Sequence, residues 1–108
     1  MSEMNRAIGE RYLPLGSIVV VKGSAKKVLI IGRAVIGTMH GESRYFDYVG
    51  CTYPEGLVGD AVLYVNHTDL DEVIQRGYED EEEERMQRYI KEQVEQLAQS
   101  MVNARSNI

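Results

Sequence analysis

Two apolar runs rich in β-branched residues follow one another early in the chain, and they constrain its fold more than any other feature. The first is Ser17-Ile-Val-Val-Val-Lys22, and the second is Lys26-Lys-Val-Leu-Ile-Ile-Gly-Arg-Ala-Val-Ile36. Only Gly23, Ser24 and Ala25 separate them. Such residues favour strands, and a short glycine-containing link between two strands predicts a β-hairpin. Because apolar residues occupy successive positions, we expect either that both faces of the sheet are covered or that these strands are central in it.

Two further strands are predicted, over residues 44–51 and 61–66. The turn signature Tyr53-Pro-Glu-Gly56 lies between them. Alternation along the third strand puts Tyr45 and Asp47 on one face of the sheet and Tyr48 on the other. The chain is therefore expected to form a four-stranded antiparallel β-meander over about residues 17–66.

The remainder of the chain is expected to be helical. Residues 70–76 are predicted as a short helix, capped by Thr68 or Asp69 and ended by Gly77. A long amphipathic helix is predicted over about residues 80–102. The acidic run at residues 79–84 suits the positive end of its dipole. Its apolar seam has a 4-3-4 spacing and consists of Ile90, Val94, Leu97 and Met101. The predicted fold class is α+β.

Length and composition favour one small domain in the cytoplasm. The 108 residues suit a single core over residues 12–102, with a flexible lead at 1–11 and a flexible tail at 103–108. The single cysteine allows no internal disulfide, and no apolar stretch has the length of a signal peptide or a membrane span. The net charge of −5 disfavours nucleic acid as a partner. We expect no membrane insertion.

No motif for catalysis, a metal or a cofactor stands out. His40, Cys51 and His67 are the strong nitrogen and sulfur ligands, and their spacing fits no zinc motif. The acidic run lacks the alternating ligands and central glycine of a calcium loop, and the glycines lack the spacing of a nucleotide-binding loop. We therefore predict a non-enzymatic protein without metal or cofactor.

Two surfaces are candidates for binding another protein. The first is a cluster of aromatic residues that supplies core packing, a sheet-face binding patch or both, and its candidate residues are Tyr45, Tyr48, Tyr53 and Tyr64. The second is the distal half of the helix seam, at Val94, Leu97 and Met101. This half lies about 15–20 Å beyond the first turns of the helix, and so beyond a sheet of short strands.

Five ordered blocks of the sequence together resemble one family. They are the segments at residues 12–19, 29–33, 46–51, 53–56 and 73–78, which read YLPLGSIV, LIIGR, FDYVGC, YPEG and VIQRGY. They resemble the family catalogued as domain of unknown function 4176, over about residues 12–80. The resemblance implies a place beside the type VII secretion machinery of Gram-positive bacteria and its LXG-type toxins. It implies no catalytic residues.

These observations lead to three functional expectations. The first is a cytoplasmic chaperone or adaptor for an LXG-type toxin or its targeting factors, acting through the tyrosines and the distal seam. The second is an immunity protein that occludes a basic toxin with the acidic patch at residues 79–84. The third is a structural homodimer formed through the helix seam.

Overall fold

The protein is an antiparallel five-stranded sheet with one long helix. The computed structural model describes residues 11–106, with side chains to residue 100. Its elements are β1 Ile18–Val21, β2 Lys27–Met39, β3 Glu42–Tyr53, β4 Leu63–Val65, a 3-10 turn His67–Asp69, β5 Leu70–Gln75 and α1 Glu81–Ser106. The strand order is β4-β3-β2-β1-β5. The predicted α+β class, the antiparallel sheet and the C-terminal helix are confirmed.

The long β2–β3 hairpin dominates the sheet. Its strands have 13 and 12 residues and pair from Lys27↔Tyr53 to Met39↔Glu42. His40 and Gly41 connect them, with φ of 53° and 80°. Two successive residues with positive φ give a turn whose twist matches that of the flanking strands. β2 is two residues longer than the predicted run at residues 26–36, and β3 is four residues longer than the predicted strand at residues 44–51, which lengthens the surface that α1 can follow.

The predicted short helix at residues 70–76 is wrong, because this segment is strand β5. It pairs antiparallel with β1 through Val19↔Val73 and Val21↔Leu70. β1 would otherwise present a row of unpaired backbone groups on that side, and β5 satisfies them. The sheet therefore has five strands where four were predicted. The residues expected to cap a helix form instead the 3-10 turn that precedes β5.

Helix α1 begins next to Asp80, whose side-chain oxygen accepts a hydrogen bond from the Glu83 amide at 3.0 Å. This is the contact of an N-cap residue, and it explains why the acidic run opens the helix. No glycine or proline follows within the helix, which continues to Ser106, past the predicted end near residue 102. The tail predicted at residues 103–108 is thus largely helical, and its last two residues lie outside the described chain.

The core lies between α1 and one face of the sheet. It is formed by Tyr12, Leu13, Val19, Val28, Ile30, Tyr48, Val65, Ile90 and Val94. The segment before β1 contributes to it through Tyr12 and Leu13, which are 2% and 7% exposed. Of the flexible lead predicted at residues 1–11, only Arg11 lies within the described chain. Within residues 11–106, the structure contains no helix that combines the length and the apolar character of a membrane span.

Candidate functional site

A buried polar network joins the segment before β1, strand β3 and the 3-10 turn. The hydroxyl groups of Tyr12 and Tyr45 are hydrogen-bonded to each other. Tyr45 also donates to Asp47 Oδ1 at 2.9 Å, and the other oxygen of Asp47 accepts from the His67 amide at 2.8 Å. Asp47 is 1% exposed. Its charge is therefore held by donors of this chain, as a buried carboxylate requires.

Tyr48 extends this network on the side of the core. Its hydroxyl lies 3.2 Å from His67 Nδ1 and accepts a hydrogen bond from the Leu13 amide at 2.8 Å. The Tyr12 ring packs edge-on against Tyr48, with 5.8 Å between the ring centroids. Strand alternation placed Tyr45 and Tyr48 on opposite faces, yet one network contains both. The β2–β3 register shifts between Ile30 and Gly32, next to the pair formed by Arg33 and Tyr48.

The network favours neutral tyrosines. Burial raises the pKa of Tyr12 to about 12. Burial, followed by the hydrogen bond from Tyr12 and the charge of Asp47, raises the pKa of Tyr45 as well. The side chains of His67 and Asp47 are only 6% and 2% exposed, with His67 Nε2 lying 3.8 Å from Asp47 Oδ2. The network therefore holds the segment before β1 and the 3-10 turn against β3.

The acidic run is fixed by arginines from elsewhere in the chain. Arg11 contacts Glu79 and Glu84 at 2.8 and 2.7 Å. Arg33, on β2, forms an ion pair with Glu83 in which the two side chains are 4% and 10% exposed. Burial alone would raise the pKa of Glu83, but the hydrogen bonds from Arg33 and Gln87 outweigh it and lower the pKa.

These pairings were missed by the sequence analysis, which treated residues 79–84 mainly as a favourable helix start. Arg33 was the residue that could have indicated a buried ion pair, because it is charged, lies within an apolar strand run and needs a partner when buried. The identity of that partner has no local signal, since Glu83 lies 50 residues away. Hydrogen bonds in both directions between Gln87 and the Tyr12 backbone add a second anchor for the same part of α1.

The four tyrosines proposed for a binding patch fall into different environments. Tyr48 is fully buried, and Tyr45 is half-buried in the polar network. Tyr53 is 40% exposed, with Lys27 Nζ 5.7 Å from its ring centroid. Tyr64 stacks on Phe46 with 4.9 Å between the ring centroids. The tyrosines therefore do not form one exposed face, and Tyr53 presents the most accessible ring among them.

The helix seam is likewise divided. Ile90 and Val94 belong to the core at 3% and 2% exposure. Val94 is buried because β2 and β3 are long enough to extend beneath it. Leu97 is half-buried and adjoins Ile36 and Tyr45. The side chain of Met101 lies outside the described residues.

An open apolar groove lies where the distal half of α1 crosses the hairpin. It is lined by Ile36, Ser43, Arg44, Tyr45 and Leu97 and has a volume of about 450 Å³. We call it the distal groove. Tyr45 directs its hydroxyl toward Tyr12 and Asp47. Ile36 is 57% exposed at the surface. The distal groove can thus accept an apolar side chain.

The possible metal ligands are dispersed. Cys51 is a buried free thiol, His67 belongs to the polar network, and His40 is exposed in the hairpin turn. Across residues 11–106, no three histidine, cysteine, aspartate or glutamate side chains are grouped as metal ligands would be.

Comparison with known proteins identifies the family. The family model described as "Domain of unknown function (DUF4176)" matches residues 12–86, which is more than two-thirds of the chain. No curated protein and no solved structure matches the chain. The matched residues include the whole sheet, the polar network and both partners of the Arg33–Glu83 ion pair. The chain is a member of the DUF4176 family.

Proposed function

We propose that this protein is a non-enzymatic binding factor, a cytoplasmic chaperone or adaptor that holds an LXG-type toxin for type VII secretion. The observation that carries the binding role is the distal groove, an apolar concavity at the surface between α1 and the hairpin. The type of partner follows from the secretion context that the family resemblance implies. The absence of a recognisable catalytic motif in the sequence is consistent with such a role.

The distal groove has the chemistry of a side-chain pocket. Leu97 and Ile36 supply aliphatic surface, and the Tyr45 ring supplies aromatic surface while its hydroxyl is engaged elsewhere. Arg44 lies at the rim, where a polar contact can fix orientation. Apolar anchors surrounded by a polar rim are typical of protein interfaces. An apolar residue of the toxin or its targeting factor is the expected occupant.

The acidic run supports the immunity role less well. Occlusion of a basic toxin requires free carboxylates, and three of the six in this run, those of Glu79, Glu83 and Glu84, are engaged by arginines of this chain. The chaperone role is therefore the one we propose. A co-expression assay separates the two roles, because an immunity protein protects a poisoned cell and a chaperone changes the solubility or secretion of the toxin.

Co-purification with the LXG-type toxin encoded nearest its gene tests the proposal. Leu97→Glu places a charge in the distal groove and is expected to weaken capture roughly tenfold or more. Gln96→Glu adds the same charge at an exposed position of the same helix and serves as the matched control. If the wild-type protein captures neither the toxin nor its targeting factors at micromolar concentration, the proposed function is wrong.

A further inference from the structure

The β2–β3 hairpin extends beyond the rest of the sheet as a two-stranded arm, which comprises residues 31–47. On one side, β1 pairs with β2 only between Lys27 and Leu29, and the last contact is formed by Ile30 with the backbone of residues 16 and 17. On the other side, β4 pairs with β3 only from Tyr48 to Gly50. Within the described chain, the arm therefore has two strand edges that no further strand covers.

Free strand edges are liable to pair with other chains, and proteins normally blunt them with charges, bulges or short length. Three edges of this sheet are blunted in these ways. β5 carries Asp71 and Glu72 and has two register shifts against β1. β4 has only three residues. The β3 edge of the arm carries Glu42 and Arg44, whose side chains are 73% and 66% exposed.

The register shift between Ile30 and Gly32 and the charge of Arg33 lie at the base of the β2 edge, but the outer part of this edge has no such protection. Residues 35–39 read Val-Ile-Gly-Thr-Met and contain neither a charge nor a proline. Ile36 and Met39 are 57% and 43% exposed, and Thr38 is exposed between them. An accessible edge with this composition is a template for an additional strand.

We propose that residues 35–39 of β2 pair antiparallel with the same residues of a second copy of this chain, which forms a twofold dimer with a continuous sheet. Charge favours this occupant and this location. The chain carries a net charge of −5, so contact between two copies through the acidic helix start or through β5 would oppose like charges. Residues 35–39 are uncharged, so pairing between two copies of this segment brings no like charges together.

Symmetry supports the same assignment. A twofold axis through the paired β2 edges uses the same stretch of each copy and satisfies the β2 edges of both copies at once. The distal groove adjoins this edge through Ile36. The dimer therefore brings two distal grooves near each other without requiring either to be filled. This proposal is independent of the toxin-binding function, because it concerns only contact between copies.

A pair of lysine substitutions on one rung of the hairpin tests the dimer. Thr38 and Ser43 face each other across β2 and β3, and both are exposed. Thr38→Lys charges the free β2 edge, whereas Ser43→Lys adds the same charge to the β3 edge. Light scattering at micromolar to millimolar concentrations is expected to give a doubled mass for the wild-type and Ser43→Lys proteins and a single mass for Thr38→Lys. Circular dichroism shows whether each variant is folded.

Hydrogen exchange of the wild-type protein gives a second readout that needs no substitution. Outward-facing amides within residues 35–39 are expected to exchange more slowly at concentrations where the dimer forms than after dilution to the monomer. A single mass for the wild-type protein overturns the proposal. The proposal is also wrong if Thr38→Lys still forms the dimer, or if Ser43→Lys loses the dimer to the same extent. It is wrong as well if the amides of residues 35–39 gain no protection from exchange when the dimer forms. If the amides of residues 35–39 are protected from exchange only when a toxin is added, the β2 edge binds the toxin and not a second copy of this chain.

Discussion

The ion pair between Arg33 and Glu83 is the contact whose removal has the most informative consequence. It connects β2 to the first turn of α1, and both side chains are almost fully buried. Arg33→Met keeps much of the aliphatic volume but leaves Glu83 without its cation. A buried charge without a partner is strongly destabilising, typically by about 3–5 kcal/mol. The stability of the fold should therefore depend on this single guanidinium group.

The penalty has an upper limit, because Glu83 can escape it by taking up a proton. From an ordinary pKa of 4.5, protonation at pH 7 costs about 3.4 kcal/mol. Gln87 also donates a hydrogen bond to Glu83 at 2.7 Å and offsets part of the loss. We expect a loss of about 3 kcal/mol at pH 7. With an m value of about 1.5 kcal/mol/M, the urea midpoint falls by about 2 M.

Urea denaturation at several pH values tests this reasoning. In the wild-type protein, folding lowers the pKa of Glu83, so the charge of Glu83 stabilises the fold above about pH 4.5. This stabilisation is lost as the pH falls through the lowered pKa of the folded state. The difference between wild type and Arg33→Met should shrink as the pH falls from 7 toward 4.5, because protonation of the unpaired Glu83 in the variant then costs less free energy. Arg33→Met/Glu83→Leu should recover most of the stability, because it leaves no unpaired charge.

An exposed ion pair of the same chain provides the matched control. Lys26 and Glu55 lie 2.6 Å apart with side chains 47% and 50% exposed, so Lys26→Met should leave the urea midpoint nearly unchanged. The reasoning is refuted if Arg33→Met is as stable as the wild type at pH 7. It is also refuted if the double variant is no more stable than the single one.

Three further outcomes are expected. Because the pKa of Tyr12 is raised in the folded protein, the fold favours its neutral hydroxyl, and the resulting stability is lost as the pH rises from 10 to about 12. Tyr12→Phe should therefore unfold less at alkaline pH, as measured by circular dichroism. Ile90→Ala should lower the free energy of unfolding by about 2–5 kcal/mol in urea titrations, whereas the exposed Tyr89→Ala should change it by less than about 0.5. Gly77→Ala should sharply lower the melting temperature, since a Cβ there would lie 2.0 Å from the Leu15 carbonyl oxygen.

The segment at residues 70–76 shows where local reasoning fails. The start and stop signals of a helix flank this segment, which reads Leu-Asp-Glu-Val-Ile-Gln-Arg. A capping residue precedes it, and Gly77 follows it. In the fold, the same residues lie beside the free edge of β1, where each backbone group gains a ladder partner. Ser17 Oγ also accepts a hydrogen bond from the Gly77 amide at 3.0 Å. These contacts join residues about 50 or more positions apart, so no window of sequence contains them.

The candidate binding residues show a similar division. Their apolar or aromatic character was evident, but exposure depended on what packs against each side chain. Tyr48 is buried because Tyr12 and Leu13 return to β3, and Val94 is buried because the hairpin extends beneath it. Leu97 and Tyr53 keep accessible surface because the packing is less complete there. The distal groove and the unprotected β2 edge emerge only from the paired length of the hairpin.

By itself, the sequence determined the apolar strand runs and a helix that starts on acidic residues and meets no glycine or proline. These features follow from backbone preferences and side-chain spacing, which act over a few residues. Only the tertiary structure decided that residues 70–75 form a strand, that Arg33 pairs with Glu83, and which tyrosines are buried. Those outcomes depend on unpaired edges, buried charges and packing volumes, which exist only once distant segments have come together.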